Sequence, residues 1–220
     1  MLIDVVLEGK AALVVGGGRE PEFKLAKLLD AGARTTVIAE EFTPGIRRMA
    51  SRKGKIRLVK GEPSPAKMVQ AMKEARPKVV FISTGDPKAD EELAAAARSA
   101  GGAMVCVVDD PRLNDFNMPA VAARGDIRVG VSTGGRSPAM ASVLRKRIEK
   151  SISDEDALQV KLQGEIRRSW KKWLKEPGER KEFAYRLISD RRIARCLRKK
   201  DYAGAKRLAQ RMLREASASG

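Results

Sequence analysis

The stretch Ala11-Ala12-Leu13-Val14-Val15-Gly16-Gly17-Gly18-Arg19-Glu20-Pro21 decides the fold. A short apolar run ends in three glycines, and a helical stretch, Pro21–Ala31, follows. The run reads as a buried strand and the glycines as a tight turn. A proline opening a helix is tolerated because its missing N–H would have no intrahelical partner. Working outward, the alternation repeats. Strands are predicted at Thr35–Ala39, Ile56–Lys60, Val79–Ser83 and Met104–Val108, with helices at Pro44–Arg52, Pro65–Ala75 and Asp90–Ala100. Gly32 and the Gly101-Gly102 pair sit just past helix ends, where glycine is favoured. Apolar strands separated by helices describe a parallel sheet covered on both faces, a doubly wound α/β domain.

The pattern changes after Asp109-Asp110-Pro111. Ile127–Ser132 reads as one more strand, turned by Thr133-Gly134-Gly135. Ser137 is a fitting N-cap with Pro138 at the first helical position, for a helix reaching about Ile152. From Asp154 onward strand signals stop. Basic amphipathic helices are predicted at Asp156–Leu174, Glu179–Leu187, Asp190–Lys199 and Ala203–Glu215, with a break near Pro177-Gly178 and a frayed end over Ala216–Gly220. The expected organisation is a Rossmann-like domain over residues 1–113, a segment over 114–152, and a small all-helical domain over 153–220.

Composition excludes several chemistries. The chain has 220 residues, 43% of them hydrophobic, enough for a substantial core. It has no histidine, which removes Ser-His-Asp and Cys-His triads, HExxH proteases and histidine-ligated zinc. Cys106 and Cys196 are too few and too far apart for a zinc knuckle or a CxxC pair, and no metal site is expected. A reducing compartment and a soluble, cytoplasmic protein are expected, since no run approaches a membrane span. Net charge is +17; residues 151–220 carry 19 basic and 10 acidic side chains, leaving 26 and 18 for residues 1–150. Such a field suits an anionic partner, or is simply a solvated basic surface.

A glycine turn between a first strand and a first helix lets backbone approach a pyrophosphate at a helix N-terminus. The GxGxxG match is incomplete, because Pro21 stands at the third position. Glu40 and Glu41 follow the second strand, where a carboxylate accepts both ribose hydroxyls of NAD and repels the 2′-phosphate of NADP. NAD is therefore the expected cofactor; a plain strand-to-helix turn with two solvated glutamates is the alternative.

Further motifs occur in order: Thr84-Gly85-Asp86, Val107-Val108-Asp109-Asp110-Pro111, Asp115-Phe116-Asn117-Met118-Pro119-Ala120 and Ser132-Thr133-Gly134-Gly135-Arg136-Ser137-Pro138. With Val14–Gly18 and Gly32-Ala33-Arg34, they closely resemble the precorrin-2 dehydrogenase/sirohydrochlorin ferrochelatase family, whose members make sirohaem alone or as the N-terminal part of bifunctional synthases. The resemblance is strong over residues 1–150 and looser in the helical tail. No methyltransferase domain follows, so the stand-alone form is expected. The resemblance implies oxidation of precorrin-2 with hydride passing to NAD⁺, and in some members Fe²⁺ insertion into sirohydrochlorin, iron being a substrate. It assigns catalysis to Asp109, cofactor contacts to Gly16, Gly17, Gly18, Arg19, Glu20, Glu40, Glu41, Thr84 and Gly85, and homodimerisation to about residues 114–150. Val129, Val131, Met140, Val143 and Leu144 are its apolar candidates. A polycarboxylate tetrapyrrole also suits a basic protein. Departures from the family pattern are Glu20-Pro21 after the glycines, Gly85 after Thr84, and Cys106 before the Val107–Asp110 motif.

Other readings stand beside these. Asp109 and Asp110 can merely cap a turn before Pro111. The turn with Thr133, Gly134, Arg136 and Ser137 offers amides and a cation to a substrate carboxylate, or is only a connection; Arg124 and Arg145 are lesser substrate-binding candidates. Cys106 is read as a buried small residue. Trp170 and Trp173 are expected to pack on a helix face, and the clusters Arg167-Arg168, Lys171-Lys172 and Arg198-Lys199-Lys200 to be solvated. A non-catalytic NAD sensor would have no need of Asp109. A nucleic-acid-binding protein would want more aromatics than two Trp, two Tyr and five Phe.

Overall fold

The structure, a computed structural model, describes residues 2–218 and divides into two compact units, one ending at Met118 and the other beginning at Pro119. In the first unit, five strands form one parallel sheet: β1 (Ala11–Val15), β2 (Arg34–Ala39), β3 (Ile56–Lys60), β4 (Val79–Ile82) and β5 (Met104–Val107). Their order is β3-β2-β1-β4-β5, so the chain reverses direction of growth between β1 and β4. Helices α1 (Arg19–Asp30), α2 (Pro44–Lys53), α3 (Pro65–Ala75) and α4 (Pro87–Ala100) make the crossovers.

Strand periodicity assigns each helix to a face. Ala12 and Val14 pack with Leu25, Leu28 and Leu29 of α1 and Ile46 of α2. Leu13 and Val15 point the other way, onto Met68 and Met72 of α3 and Leu93, Ala94 and Ala97 of α4. Each large side chain so buried contributes about 2 kcal/mol of transfer free energy. The expected doubly wound parallel domain is therefore present, with Cys106 buried in the first of these cores. Two helix starts shift. The first helix begins at Arg19, which places Pro21 in its third position, still within the turn that lacks amide partners. The fourth begins at Pro87, because Asp86 caps it through Lys88 and Ala89 amides.

β5 is an edge strand, with no sixth strand beside it among the described residues. The Asp115 carboxylate accepts the Val105 amide at 2.8 Å, and the Asn114 side-chain oxygen accepts the Val107 amide at 2.6 Å. Phe116 then packs edge-on against Phe81, ring centroids 5.4 Å apart. The Asn114–Phe116 segment thus closes the sheet edge, satisfying amides that would otherwise be open for pairing.

The second unit begins with an antiparallel hairpin, β6 (Ala120–Arg124) and β7 (Ile127–Val131), turned at Gly125-Asp126. Only β7 is predicted from sequence; the Ala-rich β6 has weak strand propensity and exists by pairing. Helix α5 (Pro138–Ser151) follows, capped by Ser137 as expected. Then come α6 (Asp154–Trp170), α7 (Pro177–Ser189), α8 (Arg191–Arg198) and α9 (Tyr202–Ala218), around a core of Leu162, Ile166, Phe183, Leu187, Ile193 and Leu197 among others. Ser153 and Asp156 form a capping box that starts α6 early, and Pro177 opens α7 instead of breaking a helix. Trp170 packs on this core, whereas Trp173, beyond the helix end, is exposed. α9 continues through residues 216–218, expected to fray; residues 219 and 220 lie outside the described ones.

Candidate active site

The carboxyl ends of β1 and β4, where strand order reverses, are where a doubly wound sheet binds ligands. A cleft of about 730 Å³ lies there, lined by Gly16, Gly17, Gly18, Glu40, Glu41, Thr84 and Asp86, among others. The glycines have distinct duties. A Cβ on Gly16, whose φ is +116°, would stand 2.0 Å from the Ser83 carbonyl oxygen. One on Gly17 would stand 1.7 Å from the Glu41 carbonyl oxygen. These two let the β1, β2 and β4 loops close on one another, helped by the Thr43 amide donating to the Gly17 carbonyl at 3.1 Å. A Cβ on Gly18 would meet nothing. Its bareness matters only if something else comes close.

Helix capping points to the same place. Thr43 caps α2, Ser64 caps α3 and Asp86 caps α4, each accepting backbone amides through its side chain. The N-cap of α1 is Gly18, which has no side chain to offer. The first-turn amides of α1 are thus left for an acceptor from outside, and the partial positive end of the helix favours an anion. A pyrophosphate fits this cradle. Around it stand Glu40, Glu41, Glu62 and Asp86, and among the described residues no Lys or Arg lines it. Carboxylates suit ribose hydroxyls and leave a 2′-phosphate without a cation.

The loop after β4 is held from two sides. The Ser83 hydroxyl donates to Asp109 Oδ2 at 3.1 Å. Thr84 gives its amide at 2.9 Å and its hydroxyl at 2.6 Å to Oδ1 of Asp90, a carboxylate only 3% exposed. A matching anchor holds the loop after β2, where Thr43 donates its hydroxyl to Glu22 at 2.6 Å. Neither Asp90 nor Glu22 is among the expected site residues. Both sit in ordinary polar helix sequence, and only tertiary placement sets them apart.

Asp109 and Asp110 part company. Asp110 caps the short helical turn Pro111–Leu113, accepting the Arg112 amide at 3.0 Å and the Arg112 guanidinium at 2.9 and 2.7 Å. The hydrogen bonds from that guanidinium hold its carboxyl below the usual range. Turn capping is therefore the work of Asp110. Asp109, at the end of β5, is exposed, and its partner among the described residues is the Ser83 hydroxyl.

The family model for NAD(P)-binding domains matches residues 3–120, and the model for the central region of sirohaem biosynthesis proteins matches residues 124–151. The chain belongs to the NAD(P)-binding family of sirohaem biosynthesis. Both matches agree with the sirohaem-biosynthesis resemblance that the sequence motifs carry. Siroheme synthase 3 of Aeromonas hydrophila is 31% identical over 214 residues, 97% of this chain and 44% of that protein. Siroheme synthase 2 of Serratia proteamaculans is 34% identical over 201 residues, 91% of this chain and 41% of that one. The chain thus spans less than half the length of these relatives. Among solved structures, the fold is similar to that of SirC, precorrin-2 dehydrogenase, with a TM-score of 0.75 over 98% of this chain and 99% of that chain, at 17% identity.

Other residues that the family resemblance singles out have other surroundings. Arg19 is exposed at the start of α1, and Glu20 pairs with Lys24 at 3.6 Å; neither lines the cleft. Gly85 lies between two lining residues with φ +91°. In the second unit, Arg124 pairs with Asp154 and Arg145 with Glu149, each at 2.5 Å, so both charges already have carboxylate partners. Thr133 Oγ1 accepts the Ser137 amide at 3.1 Å, and Ser137 Oγ accepts the Met140 amide at 3.2 Å, shaping the turn. Gly134 and Arg136 are exposed on it. Among the described residues no group of His, Cys, Asp and Glu side chains is arranged to hold a metal, and no helix is long and apolar enough to cross a membrane.

Proposed function

We propose that this chain oxidises precorrin-2 to sirohydrochlorin, using NAD⁺. The observation that carries the reading is Asp109, an exposed carboxylate anchored by Ser83, whose own carbonyl packs against Gly16 of the cofactor loop. NAD⁺ bound at the cleft supplies the hydride acceptor. The chain's residues do the rest. The α1 amides and Gly18 seat the pyrophosphate, and Glu40 and Glu41 accept ribose hydroxyls. Asp109 takes the proton that precorrin-2 must lose alongside its hydride; such proton transfer contributes about 10²–10⁴-fold in rate. The Ser83 hydroxyl holds the carboxylate toward the end of β4, beside the cofactor loop.

Incubation of the purified protein with precorrin-2 and NAD⁺ tests the reading. Sirohydrochlorin and NADH in equal amounts are expected; NADH binding without turnover would favour a sensor. Ferrochelation by the same carboxylate is part of the proposal only as a second use of one proton acceptor, with Fe²⁺ as substrate. A cytoplasmic homodimer belongs to the same reading. Met140 and Val143 are exposed on α5, where Leu144 is half-buried, and Val121 is exposed on the bare face of the hairpin, opposite the face that carries half-buried Val129 and Val131. An antiparallel hairpin with one bare apolar side needs covering.

A further inference from the structure

We infer that Asp90 is a positioning residue for the cofactor: from α4 it fixes the β4 loop that forms one wall of the cleft. Asp90 is the one buried charged side chain among the described residues, at 3% exposure. Burying a carboxylate costs free energy unless its oxygens are hydrogen-bonded. Here one oxygen, Oδ1, collects both donors of a single residue, the Thr84 amide at 2.9 Å and the Thr84 hydroxyl at 2.6 Å. The Thr84 hydroxyl in turn accepts the Asp86 amide at 3.2 Å, and Asp86 caps α4. Thr84, and through its hydroxyl Asp86, therefore hang on one carboxylate that does not itself line the cleft.

The consequence reaches the site in two directions. Thr84 and Asp86 are both lining residues. The preceding residue, Ser83, sets its carbonyl against Gly16 and its hydroxyl on Asp109. Gly85, with φ +91° and exposed, gives this turn no rigidity of its own. Without Asp90, Thr84 would lose both of its bonds to α4, and the wall opposite the glycine loop would sample other shapes. The cofactor would then have to order it, which costs affinity. The role needs an acceptor oxygen and not a charge, so Asn should serve where Ala cannot.

NADH binding, followed by cofactor fluorescence in the absence of any tetrapyrrole, tests this independently of the precorrin-2 reading. Asp90→Ala should weaken binding about tenfold, as expected from losing hydrogen bonds to a charged acceptor. Asp90→Asn should stay within about threefold of the unsubstituted protein. A folded Asp90→Ala that binds NADH as tightly as the unsubstituted protein would overturn the inference. So would an Asp90→Asn protein as weak as Asp90→Ala. Hydrogen exchange on the unsubstituted protein covers the case in which Asp90→Ala fails to fold. The Thr84 amide should be strongly protected before NADH is added; exchange as fast as in an open loop would refute the anchoring.

Discussion

Ser83 touches Gly16 and Asp109 at once: its carbonyl oxygen occupies the space a Gly16 side chain would need, and its hydroxyl donates to Asp109 Oδ2 at 3.1 Å. A residue of β4's end thus joins the cofactor loop of β1 to the carboxylate of β5. The order β2-β1-β4-β5 makes this possible, because three strands distant in sequence end side by side. Under the proposed function, topology brings the hydride acceptor and the proton acceptor together, without histidine.

The glycines should separate in a substitution test. Gly17→Ala places a methyl 1.7 Å from the Glu41 carbonyl, so the loops must move apart. A loss of about 2 kcal/mol or more is expected in chemical denaturation, in the range of overpacking a tight site. Gly18→Ala meets open space at an ordinary φ of −82°. Its stability should stay within about 0.5 kcal/mol, while NADH affinity falls at least about tenfold as the methyl enters the pyrophosphate seat.

Cofactor choice follows from the lining. With Glu40, Glu41 and Glu62 present and no basic side chain, kcat/KM for NAD⁺ should exceed that for NADP⁺ by at least about tenfold, equivalent to about 1.4 kcal/mol. Replacing Glu40 and Glu41 together by Gln should narrow the ratio. An unchanged ratio would mean that neither carboxylate reaches the ribose.

The helical unit has its own acid sensitivity. Asp190 caps α8 and is bound by the Arg192 guanidinium, whose hydrogen bonds lower its pKa from 3.8 to about 2. The folded-state pKa lies below the unfolded one, so the stabilisation is present above pH 3.8 and is lost as pH falls toward about 2. Asp190→Ala should cost about 1 kcal/mol at neutral pH, as for a lost N-cap. In denaturation curves that difference should shrink across the same acid window; a constant difference would assign the cost to packing instead.

Much of this was legible in the chain itself, and the exceptions have physical causes. β1 and β3 fall on the residues expected because short apolar, β-branched runs bounded by glycine, proline or charge leave little choice. β6 escaped, since Ala120–Arg124 is a strand by virtue of its partner Ile127–Val131; the Gly125-Asp126 pair was the available signal. The glycine loop was readable as a motif, but not which glycine answers to a neighbour and which to open space, because that depends on Glu41 and Ser83 arriving from elsewhere. Asp90 was invisible within Lys88–Glu92, a polar helical run, until folding buried it. The two aspartates before Pro111 are told apart in sequence by the family resemblance alone; in the structure Arg112 holds Asp110 and the Ser83 hydroxyl holds Asp109.

Asp109 is proposed to carry the proton, whereas Asp110 holds the turn. The most direct measurement is the rate of precorrin-2 oxidation at saturating NAD⁺ for the unsubstituted protein, Asp109→Asn and Asp110→Asn, with NADH affinity measured alongside. Asp109→Asn should bind NADH normally yet turn over about 10²–10⁴-fold more slowly. Asp110→Asn should lose far less, since Asn preserves the cap of Pro111–Leu113. Turnover by Asp109→Asn at the unsubstituted rate would contradict the account and require a different proton acceptor.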